Sequence, residues 1–149
     1  MKIAIGCDHA GLGYKEEIKK HLAEKGLEYH DFGCKATESV DYPDYGRMVG
    51  EAVASGEYDR GIVVCGTGIG ISIAANKVKG VRAALCGDCF SAKACREHND
   101  ANVLALGERV IGLGQALMIV DIWLETEFAG GRHARRVEKI GEIEAAYSK

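Results

Sequence analysis

Five short apolar runs recur along the chain, each followed by turn residues and then by a stretch of helical periodicity. The runs are Lys2–Cys7, Glu28–Gly33, Gly61–Gly66, Arg82–Gly87 and Val103–Gly107. The third, fourth and fifth are nearly continuous hydrophobics, the pattern of parallel strands covered on both faces. The second is shorter of apolar residues and more polar, which places it at a sheet edge. Between the runs, Tyr14–Lys25 sets Ile18 and Leu22 on one face and stops at Gly26, and Asp44–Ser55 carries Met48 and Ala52 ahead of Gly56. Ile71–Lys79 reads as a helix as well. Gly112–Phe128 aligns Ala116, Ile119, Val120 and Trp123 in a stripe, and Arg132–Tyr147 closes the chain with Val137, Ile140 and Ile143. Strand and helix alternating throughout predict a three-layer α/β/α sandwich around a five-stranded, mainly parallel, Rossmann-like sheet. No Pro-rich or Ser-rich linker interrupts residues 1–149, so a single domain is expected.

Composition adds exclusions. The 149 residues are 47% hydrophobic and 28% charged, ordinary values for one globular domain, with a formal net charge of -3. Nothing basic enough for nucleic acid is present. No apolar run approaches the roughly 18 residues that span a bilayer. The opening MKIAIGCDHAG is too short for a signal peptide, lacks a cleavage region and reads as a first strand. A soluble, cytoplasmic protein is expected. The six cysteines, Cys7, Cys34, Cys65, Cys86, Cys89 and Cys95, are then free thiols rather than disulfides, most of them serving as small hydrophobes.

Ligands of open parallel sheets gather beyond the carboxyl ends of the strands. Asp8-His9-Ala10-Gly11 follows the first strand, Gly66-Thr67-Gly68-Ile69-Gly70 the third, Gly87-Asp88-Cys89 the fourth and Gly107-Glu108-Arg109 the fifth, with Cys65 closing the third. Three alternating glycines let backbone approach a ligand closely, and free N–H groups at the start of the following helix favour an anion. A tight turn with no ligand is the plainer alternative. The spacing G-x-G-x-G is neither the dinucleotide G-x-G-x-x-G nor a P-loop, because Ile71 stands where the former needs glycine and Lys77 lies too far along for the latter. Thiols beside helix N-termini ionise more readily. Cys65 next to a cradle of amides therefore suits proton abstraction beside a carbonyl, with donors for the oxyanion that forms. Arg132 and Arg136 share a helix face just after Gly130-Gly131 and suit a phosphate dianion, unless they form a solvated basic face paired with Glu138 or Glu142.

Gly6-Cys7-Asp8-His9-Ala10-Gly11, Asp41-Tyr42-Pro43, Cys65-Gly66-Thr67-Gly68-Ile69-Gly70-Ile71-Ser72-Ile73-Ala74-Ala75-Asn76-Lys77, His98-Asn99-Asp100-Ala101-Asn102-Val103-Leu104 and Gly130-Gly131-Arg132-His133 together resemble the type B ribose-5-phosphate isomerases, in the group that includes galactose-6-phosphate isomerase subunits. The resemblance spans essentially the whole chain. It implies interconversion of ribose 5-phosphate and ribulose 5-phosphate through a cis-enediolate, with no metal and no cofactor. By that likeness Cys65 is the base, and Gly66, Gly68 and Gly70 lend amides to the enediolate. Thr67 relays a proton, and His98 opens the sugar ring with help from Asn99 and Asp8. His9, Arg109, Arg132 and Arg136 hold the phosphate, and Tyr42 lines the sugar. Some relatives are expected to use a carboxylate at the position of Ala74 or Ala75 in place of the thiol. The likeness also implies a homodimer, or a dimer of dimers, with shared sites to which the last helix contributes. His98-Asn99 precedes the fifth strand and so belongs at the amino edge, away from Cys65 of the same chain. Three alternatives stay open: a six-carbon substrate such as allose 6-phosphate or galactose 6-phosphate, a sugar-phosphate-binding regulatory module, and a thiol oxidoreductase built on Cys86-Gly87-Asp88-Cys89.

Overall fold

In the computed structural model, which describes residues 1–149, the alternation becomes β1 (Lys2–Cys7), a 3-10 turn at His9–Gly11, α1 (Leu12–Glu24), β2 (Glu28–Asp31), α2 (Tyr42–Ala54), β3 (Arg60–Cys65), α3 (Ile69–Ala75), β4 (Ala83–Leu85), α4 (Cys89–Glu97), β5 (Val103–Gly107), α5 (Leu113–Glu125) and α6 (Arg132–Tyr147). All five strands are parallel, in the order β2-β1-β3-β5-β4. Side chains alternate across the sheet. Ile3, Ile5, Ile62, Val64, Leu104 and Leu106 pack on one face with Ile18 and Leu22 of α1, Ala92 and Cys95 of α4, and the Ala116-Ile119-Val120-Trp123 stripe of α5. Ala4, Val63, Cys65, Val103 and Ala105 face the other way, onto Val49 and Val53 of α2 and Ile71 and Ala75 of α3. That is the expected three-layer sandwich. Each large aliphatic side chain removed from water in these layers contributes roughly 1.5–3 kcal/mol.

Two expectations shift. β4 is not an interior strand. It is a three-residue edge strand with Ala83 and Ala84 half-buried and Leu85 exposed. A continuous apolar run does not distinguish an edge strand from a central one, because an edge can also be covered in part by loops. The helix expected over 71–79 is shorter and begins earlier, so Ile69 and Gly70 form its first turn. No helix is long and apolar enough to cross a membrane. α6 differs from the other long helices in burying none of its residues.

One buried charge fastens α1 to the β2 edge. The Lys15 side chain is fully buried, with Nζ 2.9 Å from Asp31 Oδ1 and also donating to the carbonyl of Cys34. Lys19 Nζ lies 2.9 Å from the other Asp31 oxygen, and the Gly33 N–H donates to the same carboxylate at 2.8 Å. Burial alone would push the Asp31 carboxyl up, but Lys19, Lys15 and the Gly33 N–H outweigh it and hold it below its ordinary value of 3.8. A depressed carboxylate stabilises the fold at pH values above the ordinary carboxylate range, and that contribution disappears as pH falls through the lowered value. Asp31→Asn, which leaves the buried Lys15 with only the half-exposed Glu16, 3.8 Å away, as a counter-charge, should lose about 3 kcal/mol in urea unfolding at pH 7. The gap to the unaltered chain should narrow below pH 3.8. A gap that does not change with pH would show that Asp31 does not act through its charge.

Candidate active site

The sheet reverses its winding between β1 and β3, since β2 lies outside β1 on one side while β5 and β4 lie beyond β3 on the other. Ligands of open α/β sheets bind at such a switch point. Here the loops after β1 and β3 diverge around a cavity of about 490 Å³ lined by Asp8, His9, Ala10, Tyr42, Cys65, Gly66, Thr67, Ile69, Gly70, Ile73 and Arg109.

Each loop is held by its own side chains. Asp8 Oδ1 accepts the N–H groups of Ala10 (2.9 Å) and Gly11 (3.2 Å), capping the 3-10 turn and fixing His9 beside it. His9 Nδ1 accepts the Val40 N–H at 3.1 Å, which leaves Nε2 as the ring's donor. Arg109 is tied by its own N–H to the Gly66 carbonyl (3.0 Å), and its guanidinium lies over Gly66. The Tyr42 ring rests on Gly70 so closely that an added Cβ there would sit 2.6 Å from it.

Cys65 ends β3 with only 4% of its surface exposed, yet it lines the cavity. The Gly68 N–H donates to its Sγ at 3.1 Å, and the Ile69 N–H donates to Thr67 Oγ1 at 3.1 Å. The N–H groups of Gly66, Thr67 and Gly70 have no acceptor within the chain. Unpaired amides bordering a cavity are donors waiting for a ligand's oxygens. Gly68 departs from expectation in this respect: its amide holds the sulfur rather than facing an oxyanion. Gly68 is also left-handed (φ 78°), which only glycine adopts without strain.

Other thiols are placed differently. Cys7, at the end of the neighbouring strand, is fully buried, and burial pushes its thiol up to about 12 against the pull of Lys15. Cys86 is turned toward Cys95, 3.8 Å between sulfurs, and not toward Cys89. The hydrogen bond to Cys95 and burial together push the Cys86 thiol strongly up. A buried, raised thiol facing the wrong neighbour does not suit the C-x-x-C oxidoreductase alternative. Neither Ala74 nor Ala75 lines the cavity. Ala75 is fully buried in the α2–α3 layer, and Ala74 faces a separate groove with Pro43 and Lys77.

His98, Asn99, Arg132 and Arg136 are absent from this cavity. His98 caps the end of α4, and Asn99 lines a groove with Arg82, Ile140 and Tyr147 beside the start of β4. Cys65 pairs with Gly107 at the carboxyl end of β5, whereas Asn102 precedes that strand. Five residues at about 3.3 Å each separate the two edges by roughly 16 Å. At the amino edge the His98 ring stacks on His133, centroids 4.3 Å apart and planes 16° from parallel. Loss of water around the ring, reinforced by His98, Arg132 and Arg136, holds the His133 imidazole below its usual range. The sequence does not foretell the stacking of His133 on His98, nor the Val40 N–H bound to His9. Neither contact has a periodic signature in the sequence.

A parallel α/β fold whose switch-point cavity joins a thiol to unpaired amides defines an enzyme working at the carboxyl edge of its sheet. The chain belongs to the ribose/galactose isomerase family, whose pattern it matches over residues 3–140, and it is an isomerase. It superposes on the solved structure of Clostridium thermocellum ribose-5-phosphate isomerase B with a TM-score of 0.98 and 65% identity, covering 99% of this chain and 100% of that one. It is 56% identical over 143 residues to ribose-5-phosphate isomerase B of Escherichia coli, covering 96% of each chain. It is also 47% identical over 145 residues to D-erythrulose-4-phosphate isomerase of Pectobacterium atrosepticum, covering 97% of this chain and 95% of the relative.

Proposed function

We propose that the chain interconverts ribose 5-phosphate and ribulose 5-phosphate through a cis-enediolate, without a metal and with Cys65 as the base. The observation that carries this is the Cys65 sulfur bordering the same cavity as amides that have no partner in the chain. Starting from the aldose, the Cys65 thiolate removes the proton from C2 while the C1 carbonyl oxygen gathers negative charge. The free N–H groups around Gly66 and Gly70 stabilise that oxygen, and the Gly68 N–H keeps the sulfur in line. Thr67, whose Oγ1 already accepts from Ile69, uses its own hydroxyl proton to shuttle between O2 and O1. Return of the proton from Cys65 to C1 completes the ketose, with no net change in the protein. Tyr42 lines the sugar, and His9, donating from Nε2, joins Arg109 at the phosphate.

Ring opening by His98 with Asn99 and Asp8, and the phosphate clamp of Arg132 and Arg136, require residues from both edges of the sheet. A two-fold dimer meets that requirement by bringing the amino-edge residues of one copy to the Cys65 cavity of the other. The same reading includes a cytoplasmic location, where six unpaired thiols stay reduced.

A panel of four-, five- and six-carbon aldose and ketose phosphates, assayed with and without a chelator, tests substrate and metal independence together. The pentose phosphates should give the highest kcat/KM. The preference over neighbours one carbon longer or shorter should be about 10–200-fold, since one such group is worth roughly 1–3 kcal/mol. Chelator should leave the rate unchanged. A preference for another chain length overturns the substrate, and loss of turnover with chelator overturns the metal-free chemistry.

A further inference from the structure

Arg96 is nearly sealed from solvent, 5% exposed, on the last turn of α4, and every bond it makes reaches a segment that carries a part of the amino-edge site. Nη1 donates to Asp100 Oδ1 and to the Ala101 carbonyl, both at 2.8 Å. Nε donates to the Thr126 carbonyl at 3.2 Å, where the chain leaves α5 toward Arg132. Asp100 is the only residue other than glycine with positive φ (47°), a conformation that must be held by its surroundings. Arg82 braces the same loop from outside, donating to the carbonyls of Asn99 (3.1 Å) and Asp100 (2.9 Å). The Ala129 N–H donates to the Glu97 carbonyl at 3.1 Å, and His98 stacks on His133, so the α4 end and the segment leading into α6 are joined at two further points.

The geometry points to Arg96 as a positioning residue for the isomerisation: it fastens the His98–Asn99 loop to the segment that carries Arg132 and Arg136, so that ring-opening and phosphate-binding groups arrive together at the second copy's cavity. This rests on the shared-site reading above. Arg96 touches no substrate. Its planar fork donates from two separate nitrogens, Nη1 to the Asp100–Ala101 loop and Nε to Thr126, whereas lysine and glutamine each donate from a single nitrogen. A loop displaced by about 1 Å is enough to lose around 10²-fold in rate.

Arg96→Gln should therefore lower kcat with ribose 5-phosphate by about 10–100-fold and raise KM as well, because both groups of residues shift. Mixing of subunits separates positioning from general destabilisation. In a two-fold dimer with shared sites, Cys65→Ala and His98→Ala chains complement each other, since half the dimers are mixed and each mixed dimer holds one intact site, giving about a quarter of full activity. Arg96→Gln should complement Cys65→Ala to about that level and should fail to complement His98→Ala. No recovery between Cys65→Ala and His98→Ala after verified exchange overturns the shared site and this proposal with it. Recovery there, combined with wild-type kcat/KM for Arg96→Gln or its recovery with His98→Ala, overturns the role of Arg96 alone. If Arg96→Gln does not fold, Asp100→Asn decides, because asparagine tolerates the left-handed backbone while removing the carboxylate. It should fall in the His98 complementation group, and unchanged kinetics would overturn the proposal.

Discussion

Cys65→Ala should reduce kcat by about 10²–10⁴-fold, the usual contribution of a positioned general base. Two effects compete in such a variant. Removing the sulfur from a site 4% exposed takes away some packing, but the β3 backbone is held on both sides by β1 and β5 and alanine fits the strand. The chemical loss dominates, since no other thiol borders the cavity. Sugar phosphate should still bind, within about threefold in Kd, because the phosphate is held by other groups. Exchange of solvent deuterium into the C1 and C2 positions should vanish together with turnover. Cys89→Ser, which alters a thiol outside the cavity, should leave kcat unchanged. Normal deuterium exchange in Cys65→Ala would remove Cys65 as the base.

A second large effect is expected at Gly68. A Cβ there would stand 2.5 Å from Leu85 Cδ1, 2.8 Å from the Leu106 carbonyl carbon and 3.0 Å from its oxygen. Leu85 is on the surface and can swing away, but Leu106 is backbone in an interior strand and cannot. The left-handed backbone adds about 1–2 kcal/mol for alanine and the overpacking about 1–3 kcal/mol, so Gly68→Ala should lose roughly 2–5 kcal/mol in urea unfolding. Any relief must come from moving the loop, which pulls the Gly68 N–H away from Sγ and shifts the Gly66 and Gly70 amides. A displacement of about 1 Å should lower kcat/KM near 10²-fold. Stability within 0.5 kcal/mol of wild type and activity within about threefold would mean that the loop accommodates a side chain and is not built around this contact.

Much of this arrangement is legible in the sequence because parallel strands impose direction. Knowing that Cys65 ends a strand and that Asp8 and Arg109 follow strands is enough to place them on one edge, and knowing that His98 and Asn99 precede a strand places them on the other. Periodicity also identified the stripe of α5 and the turn of α1. It did not reveal that β4 is an edge, since Ala83-Ala84-Leu85 is as apolar as a buried run. It could not assign the Gly68 amide to the Cys65 sulfur, because glycine spacing reports backbone freedom and says nothing of where an N–H points. The contacts of Val40 with His9 and of Arg96 with Thr126 join positions 31 and 30 residues apart through main-chain atoms, so residue type at one end carries no trace in it. Arg96 reads in sequence only as a cation in the last turn of a helix, a common and unremarkable placement.

α6 runs for sixteen residues without burying one of them. Isolated helices of that length are marginal in water, and most helical stability comes from packing an apolar face. Ile140, Ile143 and Tyr147 lie largely uncovered along it. Folding of this last helix is then coupled to whatever shields those side chains. If a second copy does so, a solitary subunit is short of more than a neighbour's histidine: it also lacks the reason for its own arginines to stand still, and assembly and competence become one equilibrium, sensitive to how concentrated the protein is.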